Sequence, residues 1–247
     1  IIYMLIFLEK RKFIIGTFDY VINFLLAKSK QSLHSKIVLP CSLHDLAMQN
    51  NKNYQSFYEN IDYCTNDSML LTNYLCHKYK KQIERVYGPE LMLEILNKSQ
   101  KVFSKPKHYF LAPNKKNMIA IKNWYQKKYP KIHAFFDFLP LNIDKQQEYL
   151  YLQKIILKKP KIIWVGIGSP KQLELASWLK KHSKNTLIIC VGAAFDFISG
   201  NKKQAPQWIR KNNLEWFFRL LTEPKRLWRR YLVVIPKYLV SLIWKNL

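Results

Sequence analysis

The chain has only 6 glycines among its 247 residues, and only 4 cysteines. Cys41, Cys64, Cys76 and Cys190 lie far apart, with no Cys-x-x-Cys pair and no Cys/His spacing of the kind that holds zinc. They read as reduced cytosolic thiols, with Cys190 a small core residue inside a strand. The 6 histidines form no metal-like pair either, so neither a metal nor another cofactor is expected. No apolar run approaches the ~20 residues needed to span a bilayer. The opening IIYMLIFL is followed by EKRK, the reverse of a signal peptide. The first residue is Ile, so the true N-terminus is expected to be missing. Low-complexity linkers and repeats are absent, and 49% apolar residues exclude wholesale disorder.

Acidic residues are scarce too, 16 against 41 Lys and Arg, for a net charge of +25. Lysine accounts for 34 of the 41 and is spread along the chain, which reads as compositional drift. Arginine is different: Arg210, Arg219, Arg226, Arg229 and Arg230 fall within 21 residues. They are interleaved with Trp, Phe, Leu and Tyr.

Four of the glycines are concentrated in two places. The strand KIIWV runs into Gly166 and Gly168, and a helix opens at Ser169-Pro170; TLIICV runs into Gly192 and then Gly200. Glycines let backbone N–H groups approach a ligand closely, and helix N-termini favour anions. Two such loops side by side predict a phosphate-bearing ligand at the carboxyl edge of a parallel sheet. The third glycine of a dinucleotide fingerprint is missing, which argues against nicotinamide cofactors. Helices are expected at 44–60, 68–80, 89–101, 114–129 and 143–158, with strands at 61–65, 108–112 and 131–138. That alternation predicts an α/β fold, a Rossmann-like, mostly parallel sheet flanked by helices. Residues 1–200 form the expected α/β domain. Residues 201–247 read as a basic, aromatic, helical appendage, cut into short helices by Pro224 and Pro236 and either packed on the sheet domain or lying on a membrane surface.

Three segments, WVGIGSPKQLELASWL, VGAAFDFISGNKKQAPQWI and LEWFFRLLTEPKRLWRRYL, resemble the WecG/TagA/CpsF family of bacterial glycosyltransferases (glycosyltransferase family 26). CTNDSMLL and ERVYGPELM resemble two further family segments, so the likeness runs from about residue 36 to about 235. It implies an inverting, metal-independent transfer from a UDP-sugar donor to a polyprenyl-diphosphate-linked acceptor. The setting would be the cytoplasmic face of the cell membrane, in surface-polysaccharide or teichoic-acid synthesis. By the same resemblance Asp67 is the catalytic base, Arg85 meets the donor diphosphate, and Gln172 lies near the reacting groups. Gly166, Gly168, Gly192 and Asp196 line the nucleotide pocket, while Arg219, Arg226, Arg229 and Arg230 complete the site and help hold the membrane. Read without it, Asp67 is a helix cap, Arg85 a solvated charge and Gln172 a first-turn residue. His44 aligns near the acceptor and receives no role.

Several positions depart from the family pattern: Ser68 for a glycine, Gln204 for an arginine, and Leu39-Pro40-Cys41 where two polar contacts are expected. Ala112-Pro113 replaces a glycine pair, and Leu173 displaces the glutamate to Glu174. They leave open a weakened member that binds nucleotide or membrane only. An RNA-binding protein is the third reading, and nucleic acid ranks below the sugar donor as a partner.

Overall fold

The computed structural model describes residues 4–102, 107–130, 133–140 and 143–245. The chain opens with a hairpin, β1 (Met4–Leu8) and β2 (Arg11–Ile15), turned by Glu9 and Lys10, both at positive φ. Helix α1 (Phe18–Gln31) is capped by Thr17, and β3 (Lys36–Cys41) follows. The helix expected at 44–60 is two pieces, α2 (Leu43–Met48) and α3 (Gln55–Glu59). Between them the Asn51 side chain accepts from the backbone of Asn53, a local bond that competes with helical pairing.

Next come β4 (Tyr63–Asn66), α4 (Met69–Tyr79), α5 (Gly88–Val102), β5 (His108–Ala112), α6 (Lys115–Lys128) and β6 (Ala134–Phe138). Two residues of the expected strand, 131 and 132, lie outside the described ones. Then α7 (Lys145–Leu157), β7 (Ile162–Val165), α8 (Lys171–His182), β8 (Leu187–Cys190) and α9 (Ala194–Ile198) complete the sheet region.

The strands form one eight-stranded sheet in the order β1-β2-β4-β3-β8-β7-β5-β6, antiparallel only in the hairpin. The expected mostly parallel α/β sheet is therefore borne out. Side chains alternate across it. Ile163, Val165, Ile188 and Cys190 join one core, with residues of α2, α4, α7 and α8. Ile162, Trp164, Leu187 and Ile189 join the other, with residues of α1, α5, α6 and α9. Burial on both faces explains why these strands read as continuous apolar runs.

Beyond the sheet lie α10 (Gln207–Lys211), α11 (Glu215–Thr222), α12 (Pro224–Arg229), a π-helical stretch (Arg230–Val234) and α13 (Ile235–Lys245). Pro224 opens α12, as expected. Pro236 does not divide the chain: it sits inside the run continuing from α12. Proline lacks an N–H and crowds the preceding turn, and the wider π-helical turn before it accommodates both effects. Ile235 and Tyr238 are buried in the same core as Leu43 and Leu46 of α2. Among the described residues no helix is long and apolar enough to cross a membrane.

One fully buried histidine gives the fold a pH signature. Trp164 Nε1 donates to His108 Nδ1 (3.1 Å), His108 Nε2 lies 3.0 Å from Ser99 Oγ, and Ser99 Oγ donates to the Leu96 carbonyl. This chain requires the neutral ring with its proton on Nε2, and burial pushes the pKa down to about 3. The unfolded ring titrates near 6.5, so the associated stability is complete above that pH and is lost as pH falls toward 3. Between pH 7 and pH 5 this one group is expected to remove about 2 kcal/mol. Urea unfolding at the two pH values checks it, with a smaller loss expected in His108→Gln.

Candidate active site

The carboxyl ends of β3, β4, β7 and β8 open onto a cavity of about 540 Å³. Such crevices at strand ends are the usual ligand sites of open α/β sheets. Two of its walls are the glycine loops after β7 and β8, and one side chain joins them. Gln172, buried in the first turn of α8, accepts through Oε1 from Gly168 N (3.3 Å) and Gly192 N (3.2 Å). Its Nε2 donates to Ser169 Oγ at 3.0 Å. Gly166 N–H is also satisfied internally, by the Leu111 carbonyl at 3.0 Å.

Gly166, Gly168 and Gly192 all line the cavity, their own amides are paired within the protein, and the glycines also serve geometry. Gly168 and Gly192 stand at φ of +96° and +53°, where other residues are disfavoured. At Gly166 a Cβ would fall 2.6 Å from the Phe195 ring.

Asp67 lines the same cavity as Gly166 and Gly192. Its place is fixed from both sides. Asp67 N donates to the Cys41 carbonyl of β3 (3.0 Å), and Oδ1 accepts from Gly88 N (2.8 Å). The preceding Asn66 donates through Nδ2 to Thr72 Oγ1 and to the Glu84 carbonyl, both at 2.9 Å, and its own carbonyl accepts from Val86 N. These bonds stitch the 84–88 loop to the end of β4. Asp67 is not the helix cap; Ser68 is, accepting from Leu71 N. Its carboxylate is left for other work.

Arg85 does not line the glycine-loop cavity. Its Nε donates to the Asp67 carbonyl, its Nη1 pairs with Glu215 at 2.8 Å, and its guanidinium lies over the Tyr87 ring at 4.4 Å. Glu215 also pairs with Arg219 (2.6 Å), and Arg219 donates to Tyr87 Oη at 3.0 Å. This lattice sets the local charge. Burial raises the Asp67 pKa above the usual carboxylate range; Arg85, the Gly88 N–H and Arg219 oppose it without cancelling it. Burial also disfavours ionised Glu215, but Arg219 and Arg85 outweigh it and hold that carboxyl low. The two carboxyls thus diverge, one proton-seeking and one firmly ionised.

The remaining expected residues divide. Arg219, Arg226 and Arg230 line the cavity, and so does Asp196, which accepts from Asn117 Nδ2 and lies 3.5 Å from Lys202. Lys202 and Arg226 both pair with Glu223. Arg229 is exposed and lines none of the described cavities. It lies two positions after buried Leu227, roughly 200° around the helix, so it faces away.

Sequence reading missed Asp45. It accepts from Ser42 N (2.9 Å) and Ser42 Oγ (2.6 Å), and Ser169 Oγ approaches it at 3.4 Å. The Ser42-x-x-Asp45 capping spacing was its only signal. His44 lines the cavity beside it. Burial first and Arg230 second lower its pKa to about 4 against the pull of Asp45, so the ring is neutral at pH 7. Leu39, Pro40 and Pro113 give the cavity apolar wall at positions where the family pattern differs. Among the described residues no group of three or more His, Cys, Asp or Glu is placed to hold a metal ion.

The model of the glycosyl transferase WecG/TagA/CpsF family matches residues 12–247. An N-acetylglucosaminyldiphosphoundecaprenol N-acetyl-beta-D-mannosaminyltransferase of Bacillus subtilis (strain 168) is 32% identical over 162 residues, covering 64% of this chain and 59% of that protein. The same enzyme of Staphylococcus aureus (strain NCTC 8325 / PS 47) is 31% identical over 178 residues, covering 67% and 63%. The matched part of the chain thus spans about three-fifths of each relative's length.

Replacing Gln172 tests the bridge between the loops. Gln172→Leu leaves the Gly168 N–H without its acceptor and weakens the hold on Gly192. The expected loss is about 1–3 kcal/mol by chemical denaturation. Gln172→Glu, which keeps an acceptor oxygen, is expected to lose less.

Proposed function

Because this chain belongs to the WecG/TagA/CpsF family of glycosyl transferases, we propose that it moves a hexose or N-acetylhexosamine-type sugar from a UDP-sugar to a polyprenyl-diphosphate-linked saccharide. The acceptor class follows from the names of the two relatives, and the pathway would build a surface polysaccharide or teichoic acid. The observation that carries this reading is the raised-pKa carboxylate of Asp67, set in the wall of a cavity otherwise rich in guanidinium groups.

In this mechanism Asp67 takes the proton from the acceptor hydroxyl as its oxygen attacks the anomeric carbon. The bond from that carbon to the UDP oxygen breaks on the opposite face, and UDP leaves with the electron pair. One displacement inverts the centre and needs a single base. Arg219 and Arg226 would neutralise the growing charge on the departing diphosphate without a metal ion. Gln172 acts as a positioning residue that keeps the two glycine loops in register. Arg85 lies at the Asp67 backbone and beside Glu215, which supports a role in tuning the base.

The C-terminal helices would meet the membrane. Trp208, Phe217, Leu221, Trp228, Leu232 and Val240 are all exposed there, among lysines and arginines. Interfacial aromatics and basic side chains together favour an anionic leaflet. Peripheral attachment at the cytoplasmic face would suit a lipid-linked acceptor.

The test pairs purified protein with UDP-sugars and a polyprenyl-diphosphate sugar, following UDP release. Asp67→Asn is expected to lower kcat by about 10²–10⁴-fold with nucleotide binding kept; full activity in that variant overturns the assignment. The pH profile gives a second check. Asp67 must be ionised, so kcat/KM should fall as pH drops through a value above the ordinary carboxylate range. Arg85→Gln removes the charge that opposes burial, and the acid limb should then move to higher pH.

A further inference from the structure

Asp67 stands where two chambers of opposite character meet. One is the glycine-loop cavity. The other, about 220 Å³, shares Asp67, Arg219 and Arg230 with it and is walled by Met69, Leu70, Trp216, Tyr231, Ile235 and Leu239. A third space of about 270 Å³ shares Leu43, Leu70 and Leu239 with the second and continues past Leu71 and Tyr74 to Phe7 of β1. Only Glu9 and Lys78 are charged in its lining. The second chamber also carries Ser42, Arg85, Asn213 and Glu215, so the two spaces are polar beside the carboxylate and largely apolar toward the edge of the sheet, between α4 and α13. The outer end is open, with Phe7 70% and Tyr74 41% exposed.

We propose that the apolar part of these two spaces holds the first isoprene units of the acceptor's prenyl chain, an inference that rests on the lipid-linked acceptor proposed above. Such an acceptor carries three parts in a fixed order: a sugar hydroxyl, a diphosphate and a branched hydrocarbon. The protein offers matching groups in the same order. Asp67 meets the hydroxyl, Arg219 and Arg230 line both chambers at the junction, and toward the sheet edge the wall is largely apolar. Arg230 spends Nη2 on Ser42 Oγ (2.9 Å), while its buried Nε has no hydrogen-bond partner among the described residues. That leaves a donor for the acceptor diphosphate. Each CH₂ taken out of water contributes about 0.8 kcal/mol, so a few isoprene units outweigh a loosely held head group.

The probe is farnesyl diphosphate, soluble without lipid, titrated against the whole chain while tryptophan fluorescence is followed; Trp216 lies in the wall. Dimethylallyl diphosphate carries the same head on one isoprene unit. Wild-type protein is expected to bind the farnesyl compound about tenfold or more tightly than the dimethylallyl one. Leu70→Asp and Tyr74→Asp, both at partly exposed positions, should each remove most of that advantage while circular dichroism stays unchanged. Equal affinity for the two diphosphates in wild-type protein overturns the proposal, whatever becomes of the variants. So does undiminished farnesyl binding in well-folded variants that have lost only vesicle binding, which assigns this face to bilayer lipid. Sugar transfer without any chain-length preference removes the prenyl path and leaves the proposed function standing. Farnesyl binding with no transfer from any UDP-sugar does the reverse.

Discussion

The chemistry of the cleft depends on how one carboxylate is held between burial and a neighbouring guanidinium. Asp67 is taken from water at the end of β4, which raises its pKa, and Arg85 and the Gly88 N–H pull it back only part of the way. Arg85 can do this because Glu215 anchors it, and Glu215 is itself shared with Arg219. The reactivity of one residue is thus set by a loop after α4 and by a helix far along the chain.

The second constraint is mechanical. A single amide oxygen, that of Gln172, receives N–H groups from both glycine loops, so the tips of β7 and β8 cannot drift apart independently. With those amides already used, the cations and carboxylates around the cavity are left to discriminate among ligands. The missing polar contacts at Leu39 and Cys41 lie at the end of β3, just before Ser42, His44 and Asp45. This chain therefore carries polar groups near the expected places, on the helix after β3 instead of on the strand itself.

Much of the architecture was legible in the sequence, and the gaps have physical causes. Strands β5, β7 and β8 stand out because burial on both faces demands unbroken apolar runs, and the helices between them carry ordinary caps such as Asn114 and Asp144. The β1–β2 hairpin was not legible, because its turn uses Glu9 and Lys10 at positive φ where glycine or asparagine would have announced it. The break between α2 and α3 was hidden in an asparagine-rich stretch that reads equally well as a polar helix face. At the site, the glycine loops were legible from their place after two apolar strands, Asp67 and Gln172 through family likeness, and the structure brings Asp67, Gln172, Gly166, Gly168 and Gly192 to one cavity. The pairing of Glu215 with Arg85 and of Tyr87 with Arg219 was missed because each joins residues far apart in sequence. No spacing rule reports a contact of that range. Arg229 and Arg226 look equivalent on paper, yet helical geometry sends only Arg226 inward.

The contact between Tyr87 and Arg219 joins residues 132 positions apart. Closing so long a loop carries an entropic cost that grows only slowly with length, but it must wait until both ends exist. During synthesis the eight strands are complete at Cys190, well before Glu215 and Arg219 emerge. A nascent chain would therefore possess a finished sheet before Asp67 gained the Arg219 and Glu215 charges that surround it.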